Sequence, residues 1–224
     1  LTRQAADPRA RNSHWQSWYE HFPWEDWRTG RPPLLDETIA PALEAWLKSA
    51  PAESRERREA RVRQCFGLPA GPGWDEERVL ERYELLYEGG LVHEAVRDRG
   101  SSVHGILSVP LGRPMNYDHR RILATAMGRL RGKLKYRPVV FELMPPAFTL
   151  LDLQRTVEAI SGARVHKQNF RRLVETSGLV EETGTYAAKS LGRPAQLFRF
   201  RREVVSERPA PGVKLTSPRH LRGR

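Results

Sequence analysis

Apolar residues recur at three- and four-residue intervals along most of this 224-residue chain, which predicts a mainly helical protein. Trp15, Trp18, Tyr19 and Phe22 keep that spacing up to Pro23. Residues 36–47 predict a helix with Ile39, Leu43, Trp46 and Leu47 on one face. The charged stretch 53–66 favours helix and ends at Gly67 and Pro69. Asp75 suits the N-cap of the next helix, whose stripe is Val79, Leu80, Tyr83, Leu86 and Tyr87 and whose stop is Gly89-Gly90. Residues 96–114, with their Gly, Ser and Pro, predict a connection containing one strand at 105–109.

The second half is punctuated more sharply. Asp118 can cap a helix to about Lys135, with Ile122, Leu123, Ala126, Met127, Leu130 and Leu134 inward. Its other face carries Arg120, Arg121, Arg129, Arg131, Lys133 and Lys135. Pro138 opens a β-prone stretch at 139–143. Thr149 and Asp152 have capping-box spacing, flanked by Phe148 and Leu153 as a hydrophobic staple. That helix runs to Ser161 with Leu150, Leu153, Val157 and Ile160 inward, and Gly162 suits its end. Three residues later a second helix covers about 166–177 and stops at Gly178. Two short helices around a tight turn predict a helix-turn-helix. A strand beginning at Leu179-Val180, a turn at Thr183-Gly184, a basic loop at 189–194 and an alternating strand at 197–202 predict a wing. The Pro-, Arg- and Ser-rich residues 206–224 read as a disordered basic tail. The fold class is therefore mainly α with a small β-wing (α+β), a C-terminal winged helix-turn-helix preceded by a helical region.

On the second helix Phe170, Leu173 and Val174 share one face and predict its core side. Opposite them fall Gln168, Arg171, Arg172 and Glu175, with Lys167 and Asn169 on the flanks. Arg pairs with guanine O6 and N7, Gln and Asn with adenine N6 and N7, and Lys meets phosphate. A recognition helix presents such side chains from its N-terminal half to the major groove. The candidate DNA-binding residues are Lys167, Gln168, Asn169, Arg171 and Arg172 on this helix, Thr149 at the start of the preceding one, and Lys189 and Arg193 in the wing loop.

Charge agrees with that reading. Residues 1–112 hold 15 Lys/Arg against 18 Asp/Glu, whereas residues 113–224 hold 23 against 9, so the whole excess of +11 comes from the second half. Clustered cations in an ordered segment suit a polyanion partner. No run of 18 apolar residues and no signal-peptide pattern occurs, so a soluble, cytoplasmic protein is expected. Cys65 is the single cysteine, which excludes an internal disulfide and a Cys-based zinc site. The seven histidines show no paired metal-ligand spacing, and no phosphate-loop or nucleophile-elbow string is present, so neither a metal, a cofactor nor a catalytic residue is assigned. Glu20, Glu25 and Asp26 read as surface acids among aromatics, and Cys65 as an incidental core residue. The Trp15–Trp27 aromatics predict a satellite core or subunit contact, with a base-stacking platform for RNA as the sharper alternative.

The strings DHRRILATAMGRLRGKLKYRPVVFELMPPAFTLLDLQRTVEAISG, HKQNFRRLVETSGLVEETG and GRPAQLFRF closely resemble the C-terminal part of the Nudix-related transcriptional regulators of NAD metabolism. YEHFPWEDWR and WDEERVLERYELLYEGGLV are similar to the alphaproteobacterial, NadQ-like branch. The resemblance spans nearly the whole chain and is most specific over residues 118–200. It implies a homodimeric repressor of NAD biosynthesis or salvage genes, with an N-terminal Nudix-like domain that binds a nucleotide-type effector. The expected organisation is residues 1–115 as the C-terminal part of that domain with branch-specific helices, 116–205 as the winged helix-turn-helix and 206–224 as the tail. The Nudix box occurs nowhere, and the nearest string, residues 82–89, lacks its paired acids. Because the chain begins at Leu1 rather than Met, most of the effector domain is expected upstream of it. The alternative is a Nudix-type nucleotide pyrophosphohydrolase with its catalytic half upstream, or an RNA-binding protein.

Overall fold

A computed structural model describes residues 15–68, 73–99, 111–187, 194–207 and 212–213. It divides into two compact units, one containing Gln16–Arg129 and one containing Leu130–Thr216. Among the described residues the named elements of the first unit are helical. It comprises α1 (Trp18–His21), a 3-10 turn (Pro23–Glu25), a π turn (Leu35–Ile39), α2 (Ala40–Lys48), α3 (Ala52–Phe66), α4 (Val79–Glu88), α5 (His93–Arg99) and the larger part of α6 (His119–Tyr136). The strand expected at 105–109 and the termini lie outside the described residues. No described helix is long and apolar enough to cross a membrane.

The aromatic segment supplies the centre of this unit. Phe22 and Trp24 are fully buried and Tyr19 nearly so, packed with Leu35, Ile39, Leu43, Leu85 and Leu86. Burial of these rings contributes apolar area that drives the unit to fold. It also removes the stacking-platform reading, since Trp15 is the one ring of this segment that stays well exposed. The RNA-binding alternative, which needed an exposed aromatic face, falls with it.

Two arginine–glutamate pairs are buried in the same unit, and both correct the sequence reading. Glu25, expected on the surface, is 1% exposed, and Arg82 is 0% exposed. Arg82 Nε donates to Glu25 Oε1 at 2.6 Å and Nη2 to Oε2 at 2.9 Å. Its Nη1 donates to the Asp75 and Cys65 carbonyls at 2.8 and 3.2 Å, and the guanidinium lies 3.8 Å from the Trp74 ring centroid. Arg120 pairs with Glu94 at 3.0 Å and also donates to the His21 and Leu111 carbonyls. Burial lowers the Arg120 pKa, opposed chiefly by Glu94, and burial likewise raises the Tyr83 phenol beside it. Gly112 makes the Arg120 contact possible. Its φ of +72° is a left-handed conformation, and a Cβ there would collide with the His21 carbonyl and the Arg120 fork.

These pairs explain why the inward face of α6 differs from the expected one. The buried stripe is Arg120, Ala124, Met127, Arg131 and Leu134, at regular helical spacing. Ile122, expected inward, is 62% exposed, and Ala126 faces solvent with it. A hydropathy pattern counts Arg as outward, yet Arg120 finds Glu94 and Arg131 donates Nε to the Ile160 carbonyl at 3.0 Å. Buried acceptors, which the pattern cannot show, set the phase.

Cys65 lies buried on α3, and desolvation pushes its thiol above the usual range. The thiolate is the reactive form, so the native protein should react with a thiol reagent such as dithionitrobenzoate far more slowly than the urea-unfolded chain. Equal rates in both states would contradict the buried placement.

The second unit begins with the last turns of α6. A 3-10 turn (Val139–Leu143), α7 (Leu150–Ser161), α8 (Lys167–Ser177), β1 (Val180–Tyr186), β2 (Gln196–Phe200) and α9 (Val204–Glu207) follow. The stretch expected to be β-prone is thus a tight helical turn. Extended backbone would send Val140 and Phe141 to opposite faces, whereas the turn buries both. Phe141 stacks on Phe200 with centroids 4.4 Å apart. The strands pair antiparallel, Val180 opposite Phe200 and Glu182 opposite Phe198, with a register shift before Tyr186 opposite Gln196. Thr183-Gly184, expected as the turn, sits inside β1 at that shift. The Thr183 hydroxyl donates to the Leu197 carbonyl at 3.0 Å and keeps the strand engaged past it. Within the stretch expected to be a tail, Val213 is buried and donates its N–H to the Leu134 carbonyl at 2.7 Å.

Candidate nucleic-acid interface

Each element of the candidate site is fixed by local chemistry. Thr149 caps α7 through a complete capping box: its hydroxyl accepts from the Asp152 N–H at 3.1 Å, and Asp152 Oδ2 accepts from the Thr149 N–H at 3.1 Å. The Thr149 hydroxyl also donates to Asp152 Oδ2 at 2.7 Å, so its proton is committed to the cap. Phe148 pairs with Phe198 by two backbone hydrogen bonds of 3.0 and 2.8 Å, tying the start of α7 to the wing. Gly162 ends α7 with φ +76°, a conformation that turns the chain sharply toward α8 at little cost for glycine.

The turn into α8 is held from α7. Glu158 Oε1 accepts from the Val165 N–H at 2.8 Å, and Gln154 Nε2 donates to the Val165 carbonyl at 2.9 Å. Gln154 Nε2 also donates to Glu158 Oε1 at 3.0 Å. His166 is then the N-cap of α8, with no side-chain cap and no acid in the first turn.

On α8 the expected faces are the observed ones. Phe170 and Val174 are buried and Leu173 half-buried, while Lys167, Gln168, Asn169, Arg171 and Arg172 are all exposed. The apolar anchors therefore force the candidate readers outward. Arg171 Nε donates to Glu175 Oε1 at 2.7 Å on the same exposed face, which leaves its two terminal nitrogens available. Among the described residues Arg172 has no ion pair. The wing strands carry a cross-strand pair, Arg199 to Glu181 at 2.6 Å. Lys189 and Arg193 lie outside the described residues. Two further cations, Arg155 on α7 and Arg164 in the interhelical turn, are exposed and close to α8 in sequence, and the candidate set did not include them. The signal was available: Arg164 is the one cation between the two helices. Among the described residues no group of three His, Cys, Asp or Glu could hold a metal ion.

Residues 140–200 match the NrtR DNA-binding winged helix domain. This segment is an NrtR-type winged helix. The matched span takes in α7, α8 and both wing strands. Over 85 residues, 38% of the chain, the sequence is 46% identical to the ADPR responsive transcriptional repressor NtrR of Acinetobacter baylyi. That match covers 33% of the repressor, so the chain corresponds to about a third of its length. Among solved structures, Shewanella oneidensis NrtR complexed with a 27mer DNA is 29% identical, over 52% of this chain and 54% of that one, with a TM-score of 0.37. Shewanella oneidensis NrtR alone gives 29% identity over 46% and 50%, with a TM-score of 0.36.

Proposed function

We propose that this chain is a DNA-binding transcriptional regulator that represses NAD biosynthesis or salvage genes by laying α8 in the major groove of operator DNA. The observation that carries the reading is the division of α8: buried Phe170 and Val174 on one side, exposed Gln168, Asn169, Arg171 and Arg172 on the other, within an NrtR-type winged helix. Gln168 and Arg171 occupy the N-terminal half, where groove insertion is deepest. Lys167 and Arg172 take phosphates, joined by Arg164 and Arg155 on the approach. The Thr149 end of α7 faces backbone phosphate through its N-terminal N–H groups rather than its committed hydroxyl. Lys189 and Arg193 supply a basic wing contact.

The NAD connection rests on the sequence motifs, and a nucleotide-type effector rests on those motifs and on the description of the Acinetobacter baylyi relative as ADPR responsive. Action as a homodimer on half-sites about one helical turn apart, in the cytoplasm, completes the proposal. The named repressor among the relatives supports regulation over hydrolysis.

Selection from a random duplex pool, followed by titration across a salt series, tests the reading. An enriched sequence bound with a steep salt slope is expected, and failure to enrich any sequence would overturn it. Within the same series Arg193→Ala should weaken all duplexes alike and shallow the slope by about one. An unchanged slope would take Arg193 out of the interface.

A further inference from the structure

We infer that Gln154 and Glu158 are positioning residues for sequence reading, acting through the single residue that leads into α8. This rests on the proposal that α8 reads DNA. The pair projects from neighbouring turns of α7, four residues apart, and the two side chains are joined by the 3.0 Å hydrogen bond between Gln154 Nε2 and Glu158 Oε1. Together they grip both backbone groups of Val165, Glu158 accepting from its N–H and Gln154 donating to its carbonyl. Val165 immediately precedes His166, the residue from which α8 starts. Gly162 gives the turn its direction and Ser161 holds Ala163 through a 3.3 Å bond from its N–H, but neither reaches Val165. The lock on Val165 therefore sets where the first turn of α8 begins and how it is rotated. Phe170 in the first turn and Val174 one turn on seat the helix against the core, and the clamp adds a fixed backbone position at the residue just before its start.

A clamp of this kind acts on discrimination more than on affinity for DNA in general. Base contacts require angular accuracy of the reading side chains, whereas phosphate contacts by flexible cations tolerate small rotations. Both members are half-buried, so their hydrogen bonds are shielded from competing water.

The experiment uses the full chain, the duplex it enriches from a random pool and a scrambled duplex, with Glu158→Ala, Glu158→Gln and Gln154→Ala. Glu158→Gln removes the charge but keeps an oxygen that accepts from Val165. The expected result for Glu158→Ala is a roughly tenfold loss on the enriched duplex and little loss on the scrambled one, consistent with one backbone lock released. Glu158→Gln should retain most of the ratio between the two duplexes. Gln154→Ala, which leaves the acid in place, should lower that ratio severalfold and serves as the readout if Glu158→Ala does not fold. Parallel losses on both duplexes with a lower melting temperature would make the pair merely structural and overturn the inference. So would identical behaviour of Glu158→Ala and Glu158→Gln, which would reduce Glu158 to its charge. If the wild-type chain enriches no duplex, the DNA-reading proposal itself fails, and that outcome is seen before any variant is made.

Discussion

Arg171→Ala is expected to weaken binding to the enriched operator by about 1–3 kcal/mol and to relax preference at one base position. Binding to a scrambled duplex should fall less, because Lys167, Arg172 and the wing cations still meet phosphates. The geometry gives the reason. Arg171 is anchored outward by Phe170 and Val174 on its own helix, and its Nε is engaged by Glu175 at 2.7 Å. That exposed pair contributes only about 0.3–0.5 kcal/mol to the helix, so it does not compete with guanine. It engages Nε alone and leaves the terminal nitrogens for an acceptor pair such as guanine O6 and N7. Arg172 lies a further step around the helix, and Arg172→Ala should cost similar amounts on both duplexes. Titration of both variants at one salt concentration makes the comparison.

Glu25→Ala should destabilise the first unit by about 3–5 kcal/mol, the largest stability effect expected of a single change in it. The substitution strands a guanidinium that is 0% exposed and has lost both oxygens of its bidentate partner. The two carbonyls and the Trp74 ring that remain around Arg82 neutralise none of its charge. Replacing both partners together, Glu25→Leu with Arg82→Met, should recover most of the loss, since no buried charge is left uncompensated. Urea unfolding monitored by tryptophan fluorescence reads both variants. A loss below about 1 kcal/mol for Glu25→Ala would mean that the pair is hydrated and that the core is not as dry as Trp24 and Leu85 indicate.

The winged half of the chain was legible because its determinants are local. Thr149 and Asp152 announce a cap, Gly162 and Gly178 mark two helix ends, and the Phe170–Val174 face fixes which residues of α8 point out. The α6 phase was legible only in part: Met127 and Leu134 are buried as expected, but Arg120 and Arg131 also turn inward, toward acceptors supplied by Glu94 and Ile160, far away in sequence. Glu25 escaped for the same reason, its partner Arg82 being 57 residues distant. The tight turn at Val139–Leu143 shows a β-prone composition yielding to burial of two adjacent side chains. Of the candidate site, the outward face of α8 was visible in sequence, whereas the Gln154–Glu158 grip on Val165 emerges only in the folded chain. A polar pair four apart on a helix looks like any solvated face until its partner backbone is seen.

Interference by guanine N7 methylation separates base reading by α8 from phosphate contact alone, since N7 lies in the major groove and is one of the atoms an arginine would contact. For the wild-type chain, methylation of a defined guanine in the enriched duplex should block binding, and Arg171→Ala should bind methylated and unmethylated duplex alike at that position. Unchanged interference in Arg171→Ala, or no guanine whose methylation blocks the wild-type chain, would mean that Arg171 does not read a base from the major groove.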